Sequence, residues 1–480
     1  MSKLNFEHFK LSNEILKSLK GLGYINPSKV QEEVIPFVLE NKDVIVKSQT
    51  GSGKTAAFGI PVCEKIDVEE KKPQVLILTP TRELAVQIKE DIFKIGRFKK
   101  IRCAAVFGKQ PMNLQKSELK QRVHIVVGTP GRTFDHIKRG NLDLEKIKYF
   151  ILDEADEMLN MGFIDQVKDI INALPKNRVT MLFSATMPEE IERLCKKYMV
   201  NPSKIEIHPE NVTTDTIEEM YYEVEKDSKF QLLKKIIYTE SPNSCILFCN
   251  TKDAVDTLLN NMKKSKFSCE AIHGGMDQRD RLETMKRFKE GEFQFLVATD
   301  VAARGIHIEN ITHVINYEVP MEKESYVHRI GRTGRAGNEG KAITFAYNYE
   351  LKFLKNIKEY IGHDMVKKDT PSEIQVQEGK KDFEYKLKHK VKPKLKNNKL
   401  DNEITKIYIS AGKKKKIRPG DIVGAISNID GVYAEDIGII DVNDTHSYVD
   451  ILNGKGNLVI RSLHKKNIKG KEVRVQKAVK

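Results

Sequence analysis

Two stretches of this sequence decide the fold: Ser48-Gln49-Thr50-Gly51-Ser52-Gly53-Lys54-Thr55 and, about a hundred residues later, Leu152-Asp153-Glu154-Ala155-Asp156. The first follows the apolar run 44–46, and its small residues can present bare backbone N–H groups to phosphate oxygens. The second places carboxylates after the apolar run 149–152, where a buried strand would deliver them to a bound nucleotide. Together they predict an α/β domain that binds and hydrolyses ATP.

The residue types suit this chemistry. All eight residues of the loop are expected to contact ATP, with Lys54 supplying positive charge to the outer phosphates and Thr55 a hydroxyl for Mg²⁺. Asp153 is suited to hold Mg²⁺, and Glu154 to orient or deprotonate the attacking water. The strict loop pattern has Gly where this chain has Ser48. A glycine-rich loop alone can be a simple turn, and an acidic quartet alone an exposed helix start. Their positions after apolar runs favour the ATP site.

The basic charge is concentrated near the C-terminus. The 480 residues carry a formal net charge of +15, with a pI of about 9.2. Residues 366–480 hold 26 Lys and Arg against 15 Asp and Glu, a net of 26 − 15 = +11, which leaves +4 for residues 1–365. A polyanionic partner is therefore expected to meet the C-terminal part of the chain.

Short apolar runs alternate with amphipathic segments along the first 360 residues. One series comprises residues 44–46, 75–78, 124–127, 150–152 and 180–183, and a second comprises 246–248, 295–298, 314–316 and 343–346. This alternation predicts two parallel sheets covered by helices on both faces. The pattern breaks near residues 201–220, so we predict two α/β domains, at 1–208 and 209–365.

The composition changes after the second series. Residues 380–399 are lysine-rich, which is typical of a solvated tether, and we expect a basic linker over 366–402. Beyond it, predicted strands at 406–409, 438–441, 447–452 and 472–476, with a helix opening at Arg418, give the order β-α-β-β-α-β. That order predicts a small α+β domain over 403–480.

The six cysteines lack the spacing of a zinc site, and the first residues lack the apolar core of a signal peptide. We therefore expect buried free thiols and a cytoplasmic protein that does not enter a membrane.

The second predicted domain has no phosphate loop but carries His328-Arg329-Ile330-Gly331-Arg332-Thr333-Gly334-Arg335. Arginines spaced by glycines can approach phosphate closely, and one such residue can be worth on the order of 10³ to 10⁵ in rate. We expect Arg332 and Arg335 to complete the ATP site of the first domain.

These motifs together resemble the DEAD-box RNA helicases over residues 1–365, and the resemblance implies that the two α/β domains are RecA-like. The segment Gly23-Tyr24-Ile25-Asn26-Pro27-Ser28-Lys29-Val30-Gln31 resembles the adenine-reading motif of that family, with Phe6 as the upstream aromatic. The resemblance implies that Gln31 bonds the adenine edge, that Tyr24 stacks on the ring, and that Gly305 lies at the nucleotide. It also implies that Ser184, Ala185 and Thr186 couple hydrolysis to RNA.

The same resemblance implies a set of RNA contacts. The motifs Pro80-Thr81-Arg82-Glu83-Leu84 and Thr129-Pro130-Gly131-Arg132 are similar to those of the first domain of the family, and Gln278, Arg281 and Thr299-Asp300 to those of the second. The expected contact residues are Arg82, Gly108, Thr129, Arg132, Gln278, Arg281 and Thr299. The family grips the backbone of one strand, reads its 2′-hydroxyls and pries apart short duplexes. Two departures are Lys109, where the family usually has Gly, and His307, where it usually has Asp.

The last 80 residues resemble the RNA-binding domain of the DbpA subfamily through the segment 416–426, Ser447-Tyr448-Val449 and the segment 468–475. The resemblance implies a variant of the RNA-recognition-motif fold. An RNA-recognition motif stacks bases on aromatics of its central strands, and partial burial in the core is the alternative for Tyr408 and Tyr448. The resemblance implies binding to a structured element of large-subunit (23S) ribosomal RNA. The expected RNA-binding residues are Tyr408, Lys413, Lys416, Arg418, His446, Tyr448 and Arg474.

We therefore favour an ATP-dependent RNA helicase, expected to be a monomer, that acts on the pre-ribosomal large subunit. Two alternatives stay open at this stage. One is a broad-specificity helicase of cold shock or mRNA turnover, and the other is an ATP-dependent RNA clamp with slow turnover.

Overall fold

The computed structural model describes residues 5–48, 51–207, 217–300, 311–334, 339–389, 403–464 and 467–478. Within them the chain forms two compact units. The first includes Ser52–Glu206 and the C-terminal segment from Lys396, and the second is built on Ile207–Leu395.

The first domain is built on a seven-stranded, all-parallel sheet in the order β3-β4-β2-β5-β6-β1-β7. The strands β1 to β6 are mostly apolar and buried because helices cover both faces, whereas the edge strand β7 is polar and largely exposed. The strands are β1 (Val44–Lys47), β2 (Val75–Leu78), β3 (Cys103–Val106), β4 (Ile125–Gly128), β5 (Tyr149–Leu152), β6 (Val179–Ser184) and β7 (Ser203–Glu206). The covering helices span Asn13–Leu22, Lys29–Leu39, Lys54–Lys65, Arg82–Ile95, Met112–Leu119, Pro130–Lys138, Ala155–Asn160, Ile164–Ala173 and Glu189–Tyr198.

The second domain repeats this plan in its own parallel sheet, in the order β10-β11-β9-β12-β13-β8-β14. The strands are β8 (Ile217–Glu223), β9 (Cys245–Cys249), β10 (Cys269–Ile272), β11 (Phe295–Thr299), β12 (His313–Asn316), β13 (Gly340–Ala346) and β14 (Val366–Lys367). The helices span Lys229–Glu240, Lys252–Lys264, Gln278–Lys289, Lys323–Ile330, Leu351–Ile361 and Glu373–Lys388. Both domains have the helix-covered parallel sheet that the alternating sequence predicts, and both are RecA-like.

The prediction of a solvated tether over residues 380–399 is wrong for residues 380–388, which belong to the helix Glu373–Lys388. The helix Glu373–Lys388 packs against the helix Lys229–Glu240, and Phe383 is only 3 % exposed, between the rings of Tyr238 and Phe267. Gly379 permits this close approach, because a Cβ at that position would lie 2.4 Å from the carbonyl oxygen of Tyr238. One apolar face was enough to order a helix within a lysine-rich segment. Residues 390–399 of the predicted linker lie outside the described residues.

The C-terminal domain is an antiparallel sheet in the order β16-β17-β15-β18, with two helices. Its elements are β15 (Thr405–Ile409), the helix Pro419–Ser427, β16 (Ile437–Val442), β17 (Ser447–Ile451), the helix Gly456–Leu463 and β18 (Val475–Lys477). The predicted order β-α-β-β-α-β is confirmed. The last strand begins at Val475, later than predicted.

All six cysteines are buried free thiols, and burial raises the thiol pKa, to about 12 for Cys103. Among the described residues we find no helix with both the length and the apolar character needed to cross a membrane.

Candidate ATP and RNA sites

The phosphate loop joins β1 to the helix Lys54–Lys65. Ser48 is held at the start of the loop, because its backbone N–H donates to the carbonyl oxygen of Ser184 at 3.0 Å. Gly51 and Gly53 have φ values of 89° and 96°, a left-handed backbone that residues with a Cβ adopt only at a cost. The glycines therefore set the shape of the loop. Gln49 and Thr50, two further predicted contacts, lie outside the described residues.

The loop residues fit a phosphate ligand. A Cβ at Gly53 would lie 2.7 Å from Nε2 of Gln31, so a larger residue would not fit. The buried ammonium of Lys54 donates to the carbonyl oxygen of Ser48 at 3.2 Å, across the start of the loop. Thr55 is the second residue of the helix whose N-terminus points at the loop. An ammonium, bare N–H groups and a helix N-terminus together favour an anion.

The first carboxylate, Asp153, lies where β5 ends. Its side chain is 3 % exposed, and its Oδ1 accepts the backbone N–H of Glu154 at 3.1 Å. Burial raises the pKa of Asp153, and the charge of Lys54 opposes that rise. A buried carboxylate facing the lysine of the phosphate loop is a suitable ligand for a hard cation bound with a nucleotide.

Glu154 has a left-handed backbone, with φ 55° and ψ 54°, and it caps the short helix Ala155–Asn160. This conformation costs on the order of 1–2 kcal/mol for a residue with a side chain, and such strain is typical of functional positions. The geometry places a second buried carboxylate directly beside Asp153.

The third acidic residue of the motif, Asp156, binds the predicted coupling segment. Its Oδ2 accepts the backbone N–H groups of Ala185 and Thr186, at 3.2 and 2.9 Å, and the hydroxyl of Thr186 at 3.0 Å. Its own backbone N–H donates to the Oγ of Ser184. Four hydrogen bonds thus join the acidic motif to residues 184–186, a link that the resemblance implied without giving the contacts.

The predicted adenine-reading residues lie beside the loop. Phe6 is buried with its ring 6.0 Å from that of Tyr24, in an edge-to-face arrangement. Gln31 is 4 % exposed, and its Nε2 donates to the carbonyl oxygen of Gly53 at 3.2 Å. The Oγ of Ser28 donates to the carbonyl oxygen of Ser52. Sequence reasoning missed this direct connection to the phosphate loop.

The predicted RNA contacts of the first domain gather near the ends of β3 and β4. A Cβ on Gly108 would meet the guanidinium of Arg82 at 3.4 Å. Arg132 donates to the carbonyl oxygen of Gln110 at 2.9 Å, and Thr129 N–H donates to the end of β3. Lys109 occupies the position where the family usually has a second glycine, and its φ is 60°. The lysine therefore keeps the left-handed turn.

The second domain holds its predicted RNA contacts in buried positions. Gln278 and Arg281 lie on the first turn of the helix Gln278–Lys289, and Thr299 ends β11. Each is less than 10 % exposed.

Sequence reasoning missed the role of Arg329, the first arginine of its cluster. This side chain is 1 % exposed and forms a two-pronged ion pair with Asp300, with Nη2–Oδ2 at 2.7 Å. It also donates to Oδ1 of Asn250 at 2.8 Å and to the carbonyl oxygen of Glu318 at 2.7 Å. Arg329 therefore anchors the arginine segment, and Asp300 is its partner. One signal in the sequence could have indicated this role: Arg329 lies on the buried side of the helix Lys323–Ile330.

Arg332 follows that anchor, and its Nε donates to the carbonyl oxygen of His328 at 3.1 Å. Arg335, Gly305 and His307 lie outside the described residues, so their predicted roles stay predictions.

The three predicted aromatics of the C-terminal domain form one cluster. The rings of Tyr408 and His446 stack with centroids 5.5 Å apart, and Tyr448 lies edge-on, 5.1 Å from His446. Tyr408 and Tyr448 are cross-strand partners on the sheet face opposite the core residues Ile407 and Val449. They are half-buried on the face that an RNA-recognition motif uses for stacking.

Four predicted cations of this domain are exposed: Lys413, Lys416, Arg418 and Arg474. Lys416 has a left-handed φ of 57° after the lysine turn 413–415. This turn directly precedes the helix Pro419–Ser427, which Arg418 caps. Lysines and arginines at these positions suit phosphate contacts.

Fold and site together define a two-domain ATPase of the phosphate-loop class with an appended RNA-recognition-like domain. The DEAD/DEAH box helicase family matches residues 28–194, the helicase conserved C-terminal domain matches 228–337, and the DbpA RNA binding domain matches 406–477. The chain belongs to the DEAD-box ATP-dependent RNA helicases, in the DbpA subfamily.

Relatives agree with that assignment. The chain is 55 % identical over 477 residues to the ATP-dependent RNA helicase DbpA of Bacillus subtilis, covering 99 % of this chain and 100 % of the relative. It is 43 % identical to the DEAD-box ATP-dependent RNA helicase CshA of Geobacillus kaustophilus, over 78 % of this chain and 80 % of the relative. Among solved structures, S. cerevisiae Dbp5 bound to RNA and ADP BeF3 matches with a TM-score of 0.71 at 32 % identity, covering 78 % of this chain and 99 % of that one.

Proposed function

We propose that this helicase separates short RNA duplexes locally in large-subunit (23S) ribosomal RNA, during assembly of the pre-ribosomal subunit in the cytoplasm. The observation that carries this proposal is the combination of the phosphate loop and acidic motif of an ATP site with a DbpA-type RNA-binding domain at residues 406–477. Buried free thiols are the state that a reducing compartment maintains, which supports the location.

At the ATP site, Mg²⁺ would be held by Thr55 and Asp153, and it would supply positive charge to the leaving phosphates. The ammonium of Lys54, which donates to the carbonyl oxygen of Ser48 in this structure, neutralises the outer phosphates when ATP is bound. Glu154, beside Asp153, orients the attacking water and takes up its proton. Proton transfer by such a group contributes about 10²- to 10⁴-fold to the rate.

The second domain contributes the remaining positive charge. In this proposal Arg332 and Arg335 supply that charge to the γ-phosphate, and the pair Arg329–Asp300 holds the end of the helix Lys323–Ile330, which precedes Arg332. The hydrogen bonds from residues 184–186 to Asp156 join the ATP site to RNA handling.

On the RNA side, the core contacts the sugar–phosphate backbone of one strand through Arg82, Gly108, Thr129 and Arg132, and through Gln278, Arg281 and Thr299. Such contacts are independent of base sequence, so they do not choose the target. Target choice comes from the C-terminal domain, where bases stack on Tyr408, His446 and Tyr448 and phosphates meet Lys413, Lys416, Arg418 and Arg474.

The test compares ATPase stimulation by large-subunit ribosomal RNA fragments with stimulation by unrelated structured RNA of equal length at matched salt. Matched salt is essential because backbone binding depends steeply on ionic strength. We expect at least a tenfold preference for a ribosomal fragment, and we expect Tyr408→Ala to reduce it. Stacking is worth about 1–3 kcal/mol per base. Equal stimulation by all RNAs would reject ribosomal targeting and leave the ATPase assignment intact.

A further inference from the structure

The C-terminal domain and the first α/β domain belong to one compact unit, and they contact each other through complementary charges. Arg97, just after the helix Arg82–Ile95, pairs with Asp450 on β17, with Nε–Oδ2 at 3.4 Å. Asp450 is 1 % exposed and the Arg97 side chain 12 %. Arg102 pairs with Asp441 on β16 at 3.1 Å and also donates to the carbonyl oxygen of Ile440.

Apolar and polar contacts extend this interface. Phe98 of the first domain forms a buried cluster with Ile404 and Leu452 of the C-terminal domain. Next to it, Nζ of Lys17 lies 2.5 Å from Oδ1 of Asn453 and 3.5 Å from the carboxylate of Glu403. A buried ion pair beside an apolar cluster is the composition of a specific domain interface.

The docked domains enclose a cleft of about 560 Å³ whose lining is strongly basic. Lys100, Arg102 and Arg122 line it from the first domain, and Lys413 and Arg418 from the C-terminal domain. Glu69 is the only acidic residue of the lining among the described residues, and it pairs with Arg122 at 3.0 Å. His124 adds no charge at neutral pH, since burial lowers its pKa to about 4.

The lining therefore carries five cations against one carboxylate, a net of +4. Lys413 and Arg418 are exposed, and Arg122 is partly exposed, so the charge is presented to solvent. The cleft lies along β16, an edge strand beside β17, which carries Tyr448. A strand of RNA stacked on the aromatic cluster could thus continue along this basic surface.

We propose that the C-terminal domain docks on the first α/β domain through Arg97–Asp450 and Arg102–Asp441, and that the shared basic cleft binds the phosphate backbone of RNA. The first domain then adds Arg122 to the RNA-binding surface of the C-terminal domain. This goes beyond the proposed function, and it requires only that RNA is bound, whether or not that RNA is ribosomal.

The experiment measures the affinity of the full-length, nucleotide-free protein for a fluorescently labelled hairpin RNA with a single-stranded extension, across a salt series. Arg122→Glu should weaken binding roughly five- to tenfold at about 0.1 M salt, and it should lower the slope of log K against log[salt] by about 0.7–0.9. Lys176→Glu is the matched control, because Lys176 is an exposed cation of the first domain that does not line the cleft. It should change the affinity less than twofold.

Arg97→Glu tests docking, because it sets a second carboxylate against the buried Asp450. This variant should bind RNA as weakly as Arg122→Glu, and combining the two should add little. The swap Arg97→Glu with Asp450→Arg should restore affinity. Unchanged RNA affinity in Arg122→Glu would contradict RNA binding by the cleft. If Arg122→Glu weakened binding just as much in the Arg97→Glu background, RNA binding by Arg122 would not depend on docking.

A second measurement keeps docking testable apart from RNA. Lys17→Cys with Asn453→Cys places two exposed thiols at the interface, while the six native cysteines are buried. A short bis-maleimide should cross-link this pair within the full-length monomer, and Arg97→Glu should reduce the yield several-fold. A yield that Arg97→Glu leaves unchanged, or no cross-link at all, would contradict docking.

Discussion

Asp156 of the ATP motif accepts three hydrogen bonds from the coupling residues Ala185 and Thr186. Hydrogen bonds to a charged acceptor contribute more than neutral ones, about 1.5–3 kcal/mol each. The conformation of the coupling segment therefore depends on one carboxylate.

We predict that Asp156→Asn lowers RNA-stimulated ATP turnover at least tenfold and costs about 1–3 kcal/mol of stability, because a neutral amide oxygen accepts these bonds more weakly and the amide NH₂ would face the N–H of Glu157, which now donates to Oδ1. Steady-state ATPase and denaturant unfolding measure the two effects. Asp165→Asn is the control, since that carboxylate is exposed and pairs only with Lys168 among its described neighbours. An Asp156→Asn variant with native RNA stimulation would contradict the coupling role.

Lys109 shows how a family departure is accommodated, because it holds the left-handed turn that a glycine would occupy without strain. We predict that Lys109→Gly changes stability by less than about 1 kcal/mol, since the relieved strain offsets the extra chain entropy. Lys109→Val should be the more damaging change, because a β-branched residue tolerates positive φ poorly. Thermal unfolding checks this, and a stable Val variant would show that the turn is not constrained.

The helix Glu373–Lys388 belongs to the second domain by packing, although its composition predicted a tether. Four of its residues are lysines. One buried phenylalanine and one glycine nevertheless let the helix pack against the second domain. The composition of a segment does not distinguish the faces of a helix, so it did not reveal the one apolar face that this helix buries.

We predict that Phe383→Ala destabilises the second domain by about 3–5 kcal/mol, the usual cost of removing a buried aromatic ring. Tyr385→Ala, on the 64 % exposed side of the same helix, should cost less than about 0.5 kcal/mol. Hydrogen exchange on the helix Lys229–Glu240 reports the difference. Equal protection in the two variants would contradict the packing.

In the two parallel sheets, strand prediction succeeded for most central strands but missed the four edge strands and β8, which lies next to an edge. Central parallel strands are buried on both faces, so they read as continuous apolar runs, as in 75–78 and 246–248. The edge strands β3, β7, β10 and β14 lack such runs, since they are short, polar or rich in small residues. Only their neighbours in the sheet define them as strands.

At the scale of the whole molecule, the sequence motifs indicated the ATP chemistry but did not predict the contacts between distant residues. Local spacing identified the phosphate loop and the carboxylates, because each of these lies within a few residues, and the family resemblance indicated the aromatic residues on the paired strands. The Arg329–Asp300 pair and the interface of Arg97 with Asp450 join residues that are distant in sequence. Nothing in a single sequence marks such partners.

The assembled account makes Glu154 the residue that converts ATP binding into turnover. The most direct test is RNA-stimulated ATP hydrolysis by Glu154→Gln, with ATP and RNA affinities measured on the same protein. We predict that turnover falls about 10²- to 10⁴-fold, the contribution of a general base, while both affinities stay within about threefold of the native values. Native turnover in Glu154→Gln would contradict the account.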